Sequence, residues 1–374
     1  MRIVTVVGAR PQFVKAAAIS RKLRARHTEI LVHTGQHYDY GMSGVFFDGL
    51  EIPAPDVNLG VGSRSHGAQT GAMLSGIEDV LLVERPDCVL VYGDTNSTLA
   101  GALAASKVLV PVIHIEAGLR SFNRQMPEEI NRVVADHLSA VLLCPSETAV
   151  RNLAAEGLIQ NVHLVGDVML DVLNWARPRA EATAPQMLDR LGLTRKRYVL
   201  ATVHRSENTD DTARLSRILK AFNSLREPVV FPVHPRARKV IADTDCRLGP
   251  HVHLIDPVGY VQMVALTGSA RLVLTDSGGL QKEAYWLDVP CVTLRDETEW
   301  VETVTAGWNV LAGADSARIA QAAESFSPPP SHPALYGDGA AAARCVDLLQ
   351  GGAGIGQPRE PEPTEIVYAN HAAR

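Results

Sequence analysis

Leu272-Val273-Leu274-Thr275-Asp276-Ser277-Gly278-Gly279-Leu280-Gln281-Lys282-Glu283 is the stretch on which the fold turns. Four apolar or β-branched residues are apolar on both faces and short enough for a strand. They stop at Asp276-Ser277-Gly278-Gly279, and helix-forming residues follow. This is the pattern of a buried parallel strand, a tight turn and a helix. Two glycines let backbone approach a ligand, and the first amides of the helix with the Ser277 hydroxyl can cradle a diphosphate. Glu283, one turn into the helix, is poorly placed for phosphates and well placed for ribose hydroxyls.

The same grammar recurs on both sides. Tyr198–Val203, Val229–Val233, Val252–Ile255, Leu272–Thr275 and Cys291–Leu294 form one series of strand candidates. Arg2–Val7, Glu29–Thr34, Cys88–Tyr92, Val112–Glu116 and Ala140–Cys144 form an earlier one, spaced by helix-length stretches such as Pro11–Arg26 and Asn96–Leu109. Alternation of this kind predicts an α/β protein with two Rossmann-like doubly wound domains facing a cleft. A polar stretch with Pro178 and Pro185, Arg177–Arg197, separates the series, and the junction is expected near residues 168–178. The expected division is an N-terminal domain over 1–170, a C-terminal domain over 171–335, a closing helix within 336–350 and a mobile tail over 351–374.

Composition narrows the function. At about 150 residues per domain, 374 residues suit two domains. Hydrophobic residues make up 46 % and charged residues 21 %, which excludes a wholly disordered chain. The charge, 36 − 41 = −5, leaves no basic excess to hold nucleic acid. No apolar run reaches the ~18 residues of a membrane span. The start, MRIVTVVGARPQF, is broken too early by Gly8, Arg10 and Pro11 for a signal peptide. Cys88, Cys144, Cys246, Cys291 and Cys345 are odd in number and contain no C-x-x-C pair, so buried reduced thiols in a cytoplasmic protein are expected. His33 and His37 straddle a strand end without further ligands, and no metal is expected.

Chemically loaded residues gather where strands end. Gly8-Ala9-Arg10-Pro11-Gln12-Phe13-Val14-Lys15 brings Arg10 and Lys15 to a helix start, a phosphate or polar-substrate contact or simply a solvated helix end. A G-x-G-x-x-G fingerprint is absent there, which disfavours a nicotinamide cofactor. Asp94 follows the third strand. It could cap the next helix, but Asn96, Ser97 and Thr98 can do that, leaving Asp94 for the cleft. Glu116 directly follows the fourth strand. Glu128 and Arg132 lie four apart on one helix face, either as a surface ion pair or with Glu128 aimed at the cleft and held by Arg132. Three acids at neighbouring strand ends would repel, raising at least one pKa. In the second half, His204 and His234 each follow a strand as structural or ligand-contacting histidines, and Arg295 follows Leu294 as a phosphate candidate. Free carboxylates thus fall mainly in the first half, and the phosphate cradle with its cations in the second. That layout fits a nucleotide diphosphate whose attached group faces the acids.

GARPQFVK (8–15), Gly93-Asp94-Thr95, EAGLR (116–120), PEEINR (127–132), DSGGLQKE (276–283) and Tyr336-Gly337-Asp338-Gly339 occur in this order. As a set they resemble the non-hydrolysing UDP-N-acetylglucosamine 2-epimerase family, over residues 1 to about 350. The resemblance implies the two-Rossmann arrangement shared with many glycosyltransferases, usually as a homodimer, and interconversion of UDP-GlcNAc and UDP-ManNAc. It implies loss of the C2 proton with departure of UDP from C1, a bound 2-acetamidoglucal, reprotonation on the other face and return of UDP, without a redox cofactor. Matching motifs make Asp94, Glu116 and Glu128 the acid/base candidates, with His204 beside them. Arg10, Lys15, Arg132, His234, Ser277, Gly278, Gly279, Glu283 and Arg295 become candidate substrate contacts. The chain departs from the common pattern at Gln12, where Glu is frequent, at Ser206, where a second Arg is usual, and at Thr298-Glu299-Trp300-Val301, which replaces T-E-R-P. GARPQF and TEWVE also resemble the branch that includes 2-epimerases of UDP-2,3-diacetamido-2,3-dideoxyglucuronic acid, the second substrate expectation. A glycosyltransferase of the same fold is the alternative of another class.

Overall fold

The computed structural model describes residues 1–36, 53–233, 235–242, 244 and 246–351. It contains two parallel sheets. The first carries β1 (Arg2–Val7), β2 (Thr28–His33), β3 (Val57–Asn58), β4 (Cys88–Tyr92), β5 (Val112–Ile115), β6 (Val141–Cys144) and β7 (Val162–Leu164), in the order β3-β2-β1-β4-β5-β6-β7. The second carries β8 (Val199–Thr202), β9 (Val229–Pro232), β10 (Val252–Ile255), β11 (Leu272–Thr275), β12 (Cys291–Thr293) and β13 (Asn309–Leu311), in the order β10-β9-β8-β11-β12-β13. Every ladder among the described residues is parallel, and β4, β8 and β11 are buried throughout, as strands are where helices cover both faces of a parallel sheet. Both sheets reverse strand order once, between β1 and β4 and between β8 and β11. Such a reversal opens a crevice at the carboxyl ends of the two strands, where open α/β sheets bind ligands.

The stretch between the sheets corrects one expectation. It is not merely a polar connection: Val168–Leu191 is a 24-residue helix that runs through Pro178 and Pro185 and stops at Gly192 in the left-handed region. Val172, Ala176, Ala180, Ala184 and Leu188 are buried at a spacing of four and form its inward stripe. Three of the five are alanines, too small to stand out among the charges around them. This helix packs against Arg10–Leu23 of the first half and Tyr260–Ser269 of the second. The chain then returns: the last helix, Ala341–Gln350, packs on Arg10–Leu23. Its first amides, Ala341 and Ala342, donate to the Asp171 carboxylate at 3.1 Å each, an anion at a helix N-terminus supplied by another helix. A shared apolar core joins Val168, Met169 and Leu173 to Trp286, Trp300 and Tyr336, so the seam between the halves is packed rather than hinged on a bare linker. The expected tail beyond Gly351 lies outside the described residues. Among the described residues, no helix is long and apolar enough to cross a membrane.

Candidate active site

The first-half site is built on two adjacent strand ends. β4 and β5 pair with Tyr92 opposite Ile115, and each chain then turns. Gly93 makes its turn at φ +60°, where a side chain would be strained and its Cβ would sit 3.0 Å from the Lys15 ammonium. Thr95, not one of the three residues expected, caps the following helix by accepting from Thr98 N, which leaves Asp94 uncommitted to capping. Glu116 has φ +71°, a left-handed backbone that costs a non-glycine residue energy and is tolerated where the surroundings fix it. The surroundings are buried. His114 Nδ1 lies 2.7 Å from Asp136 Oδ1 and its Nε2 2.8 Å from the Gly93 carbonyl. Asp136 also takes Arg120 Nη1 at 2.7 Å and Gly118 N at 3.1 Å. One carboxylate thus holds both turns beneath Asp94 and Glu116.

Cations meet the acids one by one. Lys15 pairs with Glu116, and Arg132 pairs with Asp94 and, at 2.7 Å, with Glu129. Burial disfavours the Asp94 anion, yet the Arg132 guanidinium and Lys15 ammonium outweigh it and hold the carboxyl below the usual carboxylate range. The expected upward shift by mutual repulsion is therefore replaced at Asp94 by a downward one. Burial, then repulsion by Lys282, brings the Lys15 ammonium down to about 8 against the pull of Asp94 and Asp167. The expected Glu128–Arg132 pairing also gives way. Glu129 is 2 % exposed and anchored by Ser121 N and Phe122 N at 2.9 Å each, which draws Arg132 to it at i+3. Glu128 stays half-buried on the same turn.

In the second half, Ser277 caps the Gly278–Trp286 helix and accepts from Leu280 N at 3.5 Å. Gly278 also leaves little room: a Cβ would lie 2.6 Å from Glu299 Oε1 and 2.8 Å from Trp300 Nε1, so those side chains would have to shift. Amides at such a helix start have no carbonyl one turn behind them and remain available to an anion. His204, opposite across the strand-order reversal, is mostly exposed, with Nδ1 3.2 Å from Asp276 Oδ1. Glu283 is buried beside the Tyr260 hydroxyl, whose ionisation burial and the Glu283 charge both disfavour. Arg295 is 1 % exposed and bound to Glu299 at 2.9 Å, a support for that carboxylate rather than an open phosphate contact. The Arg10 side chain and His234 lie outside the described residues. The remaining candidates fall into two facing groups at the strand ends, one from each sheet, bridged by Lys282: its ammonium pairs with Asp167 and stands 3.8 Å from Glu116.

Residues 21–350 match the family model described as UDP-N-acetylglucosamine 2-epimerase. The chain belongs to the UDP-N-acetylglucosamine 2-epimerase family. A Methanococcus maripaludis protein named as a homolog of UDP-N-acetylglucosamine 2-epimerase is 51 % identical over 355 residues, covering 94 % of this chain and 99 % of that protein. The UDP-2,3-diacetamido-2,3-dideoxy-D-glucuronate 2-epimerase of Pseudomonas aeruginosa is 50 % identical over 360 residues, covering 93 % and 99 %. The crystal structure of Methanocaldococcus jannaschii UDP-GlcNAc 2-epimerase in complex with UDP-GlcNAc and UDP aligns with a TM-score of 0.88 at 39 % identity, over 94 % of this chain and all of that one. The chain is thus an epimerase with the glycosyltransferase-B-like arrangement.

Within this epimerase, sequence reasoning passed over several residues that build the site. Asp276 was visible in the DSGG turn but carried no expected role, and it proves to be the fully buried anchor of the His204 loop. Glu299 lies in the Thr298–Val301 run that departs from the common pattern. Burial pushes its carboxyl up, but Arg295, Arg205 and Arg132 hold it down at about 2. Lys282 and Asp167 gave no local signal, because their partners lie on the other half of the chain. Gln12 stands where Glu is frequent in the common pattern. Its Oε1 accepts from Gly8 N and Ala9 N at 2.8 and 3.0 Å, and its Nε2 donates to the Tyr92 carbonyl and Thr98 Oγ1 at 3.0 Å each. Gln12 thereby staples the β1 turn to the end of β4.

Proposed function

We propose that the chain interconverts UDP-N-acetylglucosamine and UDP-N-acetylmannosamine by elimination and re-addition of UDP. The observation that carries this reading is the placement of Asp94 and Glu116 on adjacent turns, each beside its own cation, facing a helix start free of side chains at Gly278 and Gly279. Diphosphate oxygens would lie on the amides and hydroxyl of the Ser277 turn, with His204 alongside and Glu283 at the ribose. A carboxylate takes the C2 proton. The C2–H electrons form the C1–C2 double bond, and the C1–O bond breaks with its pair on UDP. A second acid then protonates C2 from the other face as UDP adds back to C1. Asp94, Glu116 and half-buried Glu128 make up the acid/base set. Arg132 orients Asp94, and Lys15 sits where negative charge moves. Preorganised donors at the departing diphosphate supply the main help for so weak a carbon acid.

The second reading is the same chemistry on a UDP-2,3-diacetamido-2,3-dideoxyuronate. It is favoured by 50 % identity to the Pseudomonas aeruginosa enzyme over nearly the whole chain. Proton NMR in D₂O decides between them. Deuterium at C2 of UDP-GlcNAc together with UDP-ManNAc signals supports the first reading. No exchange on that sugar, with exchange on the diacetamido uronate, replaces it with the second. No exchange on either, despite UDP binding, overturns both and turns attention to sugar transfer.

A further inference from the structure

We propose that Lys282 is a positioning residue of the epimerisation: acting through Glu116, it ties the diphosphate turn of the second half to the acid/base carboxylate of the first. This rests on the reading of Glu116 as an acid/base group. Lys282 lies four residues after Gly278, on the helix whose first amides form the cradle. Its side chain is 1 % exposed, so its ammonium is cut off from water and must be met by protein. What meets it comes mostly from elsewhere. Asp167 pairs with it from the start of the Val168–Leu191 helix, Glu116 Oε1 stands 3.8 Å away at the end of β5, and the Trp300 ring lies 3.5 Å beneath it.

Asp167 alone would neutralise this ammonium. The approach to Glu116 is therefore more than charge balance. The charged groups around Glu116 are Lys15 from the Arg10–Leu23 helix, Lys282 from the Gly278–Trp286 helix, Asp167 behind Lys282, and Asp94, which Arg132 holds on the neighbouring turn. Lys15 belongs to the same half as Glu116, and Lys282 does not. Glu116 has both its cations only while the two halves are in register. An opposite charge at this distance favours the carboxylate form and fixes its direction. When Glu116 takes a proton from C2, its negative charge is lost as one develops on the departing diphosphate. Lys282 is on the helix whose first amides form the proposed cradle, so its cation is close to the carboxylate while that charge moves.

The test is the pH profile of C2 deuterium exchange on the UDP-sugar turned over by the full-length enzyme, with UDP affinity and Tm measured alongside. Lys282→Met is expected to lower kcat about 10- to 100-fold with KM and UDP affinity within about threefold of wild type. It should also move the acidic limb of kcat up by about one pH unit. Asp167→Asn keeps an acceptor for the Met169 amide but removes the competing charge, so the limb should move down. Opposite shifts are not the mark of a merely structural residue, and Asp167→Asn decides by its direction if Lys282→Met does not fold. Limbs unmoved in the folded variants, or losses confined to UDP affinity and Tm, overturn the role of Lys282. Glu116→Gln is the control: wild-type exchange in that variant overturns the reading of Glu116 itself, and the proposal with it.

Discussion

Asp276 accepts the backbone amide of His204 at 3.0 Å from across the strand-order reversal of the second sheet. The same Oδ2 takes Arg205 N at 3.0 Å and Asn208 Nδ2 at 3.1 Å, and the residue is fully buried. The β8 loop and the β11 turn are therefore one unit. Asp276→Ala removes the acceptor that these three donors share, and only Asn208 Nδ2 keeps another, the Leu294 carbonyl at 3.0 Å. A loss of about 2–4 kcal/mol is expected, with weaker UDP binding, because each buried donor left unmet costs about 1–3 kcal/mol. Denaturant unfolding and calorimetric UDP titration measure both. Unchanged UDP affinity would separate this loop from the diphosphate.

Asp94→Asn and Glu116→Gln preserve shape and remove charge. Each should lower kcat by about 10²-fold or more while UDP still binds. Glu128→Gln belongs in the same series as the third proposed acid/base group, half-buried and without the Arg132 pairing that helix spacing suggests. Near-normal turnover in all three would mean that the acid/base groups lie outside this set.

Gln12→Glu tests why an amide occupies this position. A carboxylate keeps the two bonds from Gly8 N and Ala9 N but cannot donate to the Tyr92 carbonyl. It also buries a charge at a site 1 % exposed. Thr98 Oγ1 already donates to Tyr92 O at 2.6 Å and limits the damage. A loss of about 1–3 kcal/mol is expected in thermal or urea unfolding. A variant as stable as wild type would show that Thr98 turns to serve the carboxylate.

Acid should act through Glu299. Its carboxyl is held at about 2 in the folded chain, below an unfolded value near 4.5. A depressed acid contributes its stability in full above the unfolded pKa and loses it as pH falls through the folded one, here between about 4.5 and 2. The contribution is on the order of 3 kcal/mol. Urea midpoints from pH 5 to pH 2 should fall more steeply for wild type than for Glu299→Gln. Parallel slopes would assign the acid sensitivity to other carboxylates.

The two-sheet fold was legible because its signals are local. A strand covered on both faces must be apolar throughout, and it must end where polar turn residues begin. β4, β8 and β11 obey that rule, and the turn at Ser277-Gly278-Gly279 follows directly from it. Asp94 and Glu116 stood out for the same reason, as carboxylates just past a buried strand, although Asp276 at the end of β11 shows that such a residue can instead be buried as an anchor.

Two features were not legible. The Val168–Leu191 helix hid behind two prolines and an alanine stripe, since alanine earns a buried place only when a neighbouring helix comes close enough to cover it. The partners of Arg132 and Lys282 depended on distant geometry. Spacing along a helix offered Glu128 to Arg132, but Asp94 and the Ser121-anchored Glu129 took it. No periodicity joins Lys282 to Glu116. Sequence alone determined which residues reach the strand ends, because burial of each strand is a local demand. The tertiary structure decided which charges meet, because an ion pair across two sheets forms only when their packing brings the charges within a few ångströms and excludes the water that would otherwise screen them.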